Sequence, residues 1–241
     1  MVQFFVLHVV VESAWARPYS WARNDISDLG GAHCALRAEP EPRYVCSPEH
    51  ALVNASFVAL GALLVVGAVL TSGPWRRGAA GAVARCLPVG AGAGFVPAGP
   101  APADVDENQH LLGALLIMGT GNIGLVAAGS GLADDVPRAL RRVTGLLGVV
   151  ALAAFGLFLS HRYLGLGRGG MERVATLPIL LWTLALAVRG LRRRAPRAGD
   201  GPAPAGGRTP RGSGRHGPGP RRPGDGRRDQ PGPGARRGRP G

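Results

Sequence analysis

The sequence predicts an all-α, polytopic membrane bundle of six transmembrane helices followed by a disordered tail. Two observations lead there. Residues 51–72 run without a single charge, and at helical rise they cover about 30 Å, the thickness of a bilayer's hydrocarbon core. Charge, in turn, is divided unevenly. Residues 191–241 hold 14 Arg and 3 Asp, a net +11, whereas residues 1–190 hold 14 Arg and 12 acids, a net +2. The basicity of the chain therefore belongs to its tail, and specific nucleic-acid binding by a basic globular domain is not indicated.

The first apolar stretch, about residues 2–16, is short for a span, which needs about 20 residues. It reads as a first transmembrane helix, complete or truncated, with a signal peptide as the alternative because Ala14-Trp15-Ala16 resembles a cleavage site. Against cleavage, no positive charge precedes the apolar run and Glu12 interrupts it. His8 and Glu12 stand four apart, on one helical face. Residues 17–49 form a polar loop holding Trp21 and Tyr19, aromatics suited to a membrane interface. Cys34 and Cys46 share that loop, and a disulfide is the natural reading if it faces an oxidising compartment.

The second span, about 51–72, has a marked start. Ser47 suits an N-cap, Pro48 the first helical position and Glu49 the positive end of the dipole. Gly73-Pro74 stops it, and Trp75, Arg76 and Arg77 suit a cytoplasmic interface. The third span, about 80–98, is the weakest, being mostly Ala, Gly and Val with Arg85 and Pro88 early in it. The fourth, about 109–132, carries Thr120, Gly124 and Ala128 every four residues, a small-residue stripe for close helix contact. The fifth runs about 143–160. The sixth runs about 171–188, with Pro178 as a kink and Trp182 deeper in.

Arginine sets the predicted orientation. The short segments at Arg76–Arg85, Arg138–Arg142 and Arg189 onward fall on one side, which the positive-inside rule makes cytoplasmic. Both termini then lie in the cytoplasm of a plasma-membrane protein, and the cysteine loop lies outside. The tail, 191–241, cannot bury enough apolar surface to offset the entropy of ordering. It reads as a solvated extension, with contact to anionic lipid head groups as its functional alternative.

Several motifs together resemble one family. Tyr-Ser-Trp at 19–21, Ile-Ser-Asp-Leu-Gly at 26–30 and Val-Cys-Ser-Pro-Glu-His-Ala-Leu-Val-Asn-Ala-Ser-Phe at 45–57 come first. His110-Leu-Leu-Gly-Ala-Leu, Gly121-Asn122 and Tyr163-Leu-Gly-Leu-Gly through Met171-Glu-Arg follow, in order. The stretch from about residue 4 to 190 is similar to the bacterial multi-pass membrane proteins of the domain of unknown function 998 family. That resemblance implies a six-helix membrane bundle and no assigned activity. One departure stands out: the family's short Phe-Pro-Glu-like turn after the third span is replaced by Phe95-Val-Pro-Ala-Gly-Pro-Ala-Pro-Ala-Asp.

Polar residues collect at the outer span ends: Asn24, Asp25, Ser27, Asp28, Ser47, His50, Asn54, His110, Arg162, Glu172 and Arg173. The core of this cluster is Asp25, Asp28, His50, Asn54, His110, Glu172 and Arg173. Asn122 lies about 18 Å below His110 at helical rise and so requires a partner inside the bundle. One reading has these residues satisfying one another: Asp25 and Asp28 cap a turn or pair with Arg23 or Arg162, Glu172 pairs with an arginine, and the histidines are interface residues. A second has a lipid or small amphiphile bound between the helices, in a lipid-sized groove with Asn122 or Asn54 at its wall. A third has Asp28, His50 and His110 holding zinc in a membrane-embedded lipid hydrolase. The sequence favours membrane lipids as partners and no cofactor, with zinc tied to the hydrolase alternative alone.

Overall fold

A computed structural model describes residues 1–194 except 39 and 72. The arginine-rich tail, with its predicted disorder and head-group contact, lies outside the described residues. Six helices make the fold: α1 Val2–Ser13, α2 His50–Leu70, α3 Ala79–Ala98, α4 Glu107–Gly131, α5 Arg138–Leu159 and α6 Gly167–Arg194. Helices α2 to α6 are each long and apolar enough to cross a membrane. Helix α1 is not: its 12 residues rise about 18 Å, little more than half the hydrocarbon thickness. It lies along the first half of α2. Gln3 exchanges hydrogen bonds with Ser56, receiving the hydroxyl at 2.8 Å and donating to the Ser56 carbonyl at 3.2 Å. Phe4 stacks against Phe57 with ring centroids 6.1 Å apart.

Small residues bring α3 and α4 together. A Cβ on Gly94 would stand 2.6 Å from the Gly113 carbonyl oxygen, and one on Gly90 would stand 2.7 Å from the Thr120 hydroxyl. Gly124 sits against Leu87 and Pro88, and Gly131 against Ala84 and Ala80. The stripe expected on α4 thus meets a matching stripe on α3, which explains how a span of such modest hydrophobicity is held. Arg85, inside the early part of that span, donates to the Ala68 and Val69 carbonyls at 2.9 and 2.8 Å. It thereby satisfies last-turn acceptors of α2 that the helix itself leaves open. Asn122 is fully buried and gives its amide to the Ala175 carbonyl of α6 at 2.8 Å. That contact falls next to Pro178, which has no N–H for the Val174 carbonyl.

Helices α5 and α6 start earlier than their apolar stretches do. The arginines at 138, 141 and 142 extend α5 outward because Arg is a good helix former whose head reaches water. At the same end Arg76 and Arg141 both approach Asp134, at 3.9 and 2.9 Å. The two connectors there pair through Trp75 and Leu132.

The opposite end is roofed by residues 14–49. This segment is more ordered than a loop. A 3-10 turn spans Ser27–Gly30, and β1 Ala35–Arg37 pairs antiparallel with β2 Arg43–Val45. The Cys34–Cys46 disulfide closes the open end of that hairpin. Ser47 is no N-cap: its hydroxyl donates to the Leu29 carbonyl at 2.6 Å, and α2 begins only at His50. A hydroxyl committed to the roof is not available to the helix.

Candidate functional site

Residues 19–31 fold over the start of α6 because the chain there is glycine-rich. Gly167 has φ +72°, and a Cβ on it would collide with the Ala22 carbonyl. The N–H of Gly169 donates to that same oxygen at 2.8 Å. A larger residue at 167 would push the roof away.

Charged side chains then lock the roof down. Arg173 reaches from α6 to the carbonyls of Trp21 (2.9 Å) and Asn24 (2.8 Å) and donates to the Tyr19 hydroxyl at 2.5 Å. Tyr19 in turn donates to the Asp25 carbonyl at 2.7 Å. Burial pushes the Tyr19 phenol well above its ordinary range, so it remains a donor at neutral pH. Asp25 is held by Arg168 Nε at 2.6 Å and by Arg43 Nη2 at 3.3 Å. Asp28 takes Arg43 Nε at 2.8 Å. Burial, and then the neighbouring Asp28 carboxylate, raise the Asp25 carboxyl above its ordinary value, while the two arginines oppose them. Glu172 is buried and accepts the backbone N–H of Ile26 through Oε2.

Four of the seven core candidates therefore meet: Asp25, Asp28, Glu172 and Arg173. Asp25 and Asp28 pair with Arg43 and Arg168 rather than with Arg23 or Arg162, and Asp28 Oδ2 also caps the turn by accepting the Asp25 N–H at 3.0 Å, whereas Glu172 takes a backbone N–H. Sequence reasoning missed both partners. Arg43 comes from β2, and the only hint was its place in the cysteine loop. Arg168 lies among glycines between the fifth and sixth spans, with no spacing that ties it to Asp25. Of the other candidates, Asn54 donates to the Gly30 carbonyl at 3.0 Å and pins the 3-10 turn to α2. His50 Nδ1 lies 3.1 Å from the Ser47 carbonyl, and His110 Nδ1 lies 3.0 Å from the Ala101 carbonyl. Among the described residues, no group of three His, Cys, Asp or Glu is placed to hold a metal ion, so Asp28, His50 and His110 form no such set.

Beneath Ile26 and Ser27 lies a half-open cavity of about 40 Å³. Its walls are apolar: Phe4, Phe57, Phe95, Ala98, Ala114, Ile117 and Met118. Its polar groups are His110, Glu172, Thr176 and Ser27. Ile117 and Met118 belong to a π-helical turn, Leu116–Thr120, within α4. Such turns shift side chains out of the ordinary helical register and are frequent at functional sites. At roughly 10–15 Å³ per water, the cavity takes about three waters or one polar head with its first carbons, not a whole lipid. Neither Asn122 nor Asn54, the residues expected at the wall of a lipid-sized groove, lines it.

The family model described as protein of unknown function (DUF998) matches residues 2–189. No curated protein and no solved structure matches the chain.

Proposed function

The chain belongs to the DUF998 family, and from that premise we propose that it binds an amphiphile at the roofed end of a membrane bundle. The apolar helices fit an integral membrane protein. The observation that carries the reading is the cavity itself, three phenylalanines and a methionine under a buried carboxyl. That combination suits a molecule with one polar end and a hydrocarbon body. The polar end sits below Ile26 and Ser27, the first carbons lie against Phe57 and Phe95, and the remaining chain runs out into the bilayer.

The same reading places the protein in the plasma membrane of a cell envelope as a multi-pass protein with the C-terminal end of α6 cytoplasmic; α1, about 18 Å long, does not carry the N-terminus across to that side. It is supported by the arginine-flanked span ends at one side and the disulfide at the other.

Native mass spectrometry of the detergent-purified protein tests the binding. An amphiphile should copurify with the wild type and be lost from Ala114→Trp, whose indole fills the cavity. Wild-type protein that carries nothing, or a filled variant that carries as much, contradicts the proposal.

A further inference from the structure

The polar groups around the cavity point to the kind of head it accepts. Glu172 is only 8% exposed, and Oε2 is its one oxygen with a hydrogen bond, from Ile26 N–H. It is a cavity-lining residue, so its second oxygen remains an acceptor. His110 Nδ1 faces the Ala101 carbonyl, an acceptor that only an N–H can satisfy. The proton therefore sits on Nδ1, and in the neutral ring Nε2 is left as an acceptor. Ser27 and Thr176 bring hydroxyls, which accept as readily as they donate. Among the described residues, no Arg lines the cavity. The nearby guanidinium groups bind elsewhere through their terminal nitrogens or Nε: Arg43 and Arg168 hold Asp25 and Asp28, and Arg173 Nη1 and Nη2 hold three backbone carbonyls and Tyr19.

From this inventory, and resting on the amphiphile reading above, we infer that the cavity selects a primary amine or ammonium head over a carboxylate or phosphate head. An ammonium offers three donors to the acceptors that line the cavity, and hydrogen bonds from a charged donor are the strong ones. An anionic head brings further acceptors to a lining that holds no guanidinium among the described residues. An alcohol supplies one donor and falls between.

The test compares decylamine, decanol and decanoate on the whole protein in nanodiscs, with adducts counted by native mass spectrometry at matched free concentration. Decylamine should bind at least about tenfold more tightly than decanoate, a difference of roughly 1.4 kcal/mol. Glu172→Gln keeps an acceptor for Ile26 N–H and should erase most of that ratio. Equal or stronger binding of decanoate overturns the head-group preference, and so does a ratio that survives Glu172→Gln. The amphiphile reading stands in either case, because a probe still binds. Failure of all three probes on the wild type overturns both. The wild-type ranking decides the matter even if the variant does not fold.

Discussion

Asp104 ties the roof to the α3–α4 connector through one carboxyl oxygen. Oδ2 accepts the His33 backbone N–H at 2.7 Å and lies 3.1 Å from the ring nitrogen of His33 and 3.7 Å from Arg37. Burial works against ionisation, but the backbone N–H groups of His33 and Ala32 outweigh it and hold the carboxyl below its ordinary value of 3.8. The folded value is depressed, so the stabilisation is complete above 3.8 and is lost as pH falls through the lowered value. Thermal melting in detergent should therefore drop progressively as pH falls from about 5 towards 3. Asp104→Asn should melt lower at pH 6 and show a flatter dependence. A wild-type curve no steeper than that of the variant contradicts this role.

The same scale shows what single residues revealed in advance. Asp25, Asp28, Glu172 and Arg173 stood out because charge at a span end is costly unless paired. Their partners did not. Arg168 lies 143 residues from Asp25 in sequence, and only the folded hairpin brings Arg43 within reach. Ser47 misled because a serine ahead of a Pro-Glu pair has the sequence signature of a cap, while the Leu29 carbonyl that claims its hydroxyl is invisible in the sequence.

At the scale of elements, glycines close the α3–α4 seam, as they do the α2–α3 and α4–α5 seams. Gly94→Leu should destabilise the protein by about 1–3 kcal/mol or prevent folding, since its side chain would meet the Gly113 backbone. Gly67→Leu is the control: a Cβ at Gly67 meets nothing within 4 Å, so its melting temperature should stay near wild type. Thermal unfolding monitored by circular dichroism separates the two, and equal behaviour contradicts the packing account. Half of this seam was legible. The four-residue stripe Thr120, Gly124, Ala128 is visible because larger residues surround it. Its counterpart on α3 is not, because that helix is small-residue-rich all round and no face stands out. The hairpin was missed for a related reason: three-residue strands are too short for alternation to register.

At the scale of the molecule, arginine-rich connectors mark one end and the disulfide-bearing roof marks the other. This partition could be read from composition and spacing alone. The cavity could not, because its lining comes from the roof and from α1, α2, α3, α4 and α6 at once. If the arginine end is cytoplasmic, a membrane-impermeant maleimide should label Leu164→Cys in intact cells. In the same Cys86→Ser background, Arg77→Cys should react only after permeabilisation. Both positions are exposed, so the reverse pattern inverts the topology.

The roofed cavity is the centre of the account, and photolabelling tests it most directly. A decanol carrying a diazirine beside its hydroxyl is bound to the purified protein in nanodiscs, irradiated, and mapped by peptide mass spectrometry. Label should concentrate on peptides holding Phe57, Phe95, Ile117 and Met118 and should fall when unlabelled decanol is added in excess. Label spread over the exposed face of α5, at Leu146 and Val149, without competition at the cavity residues, would contradict it.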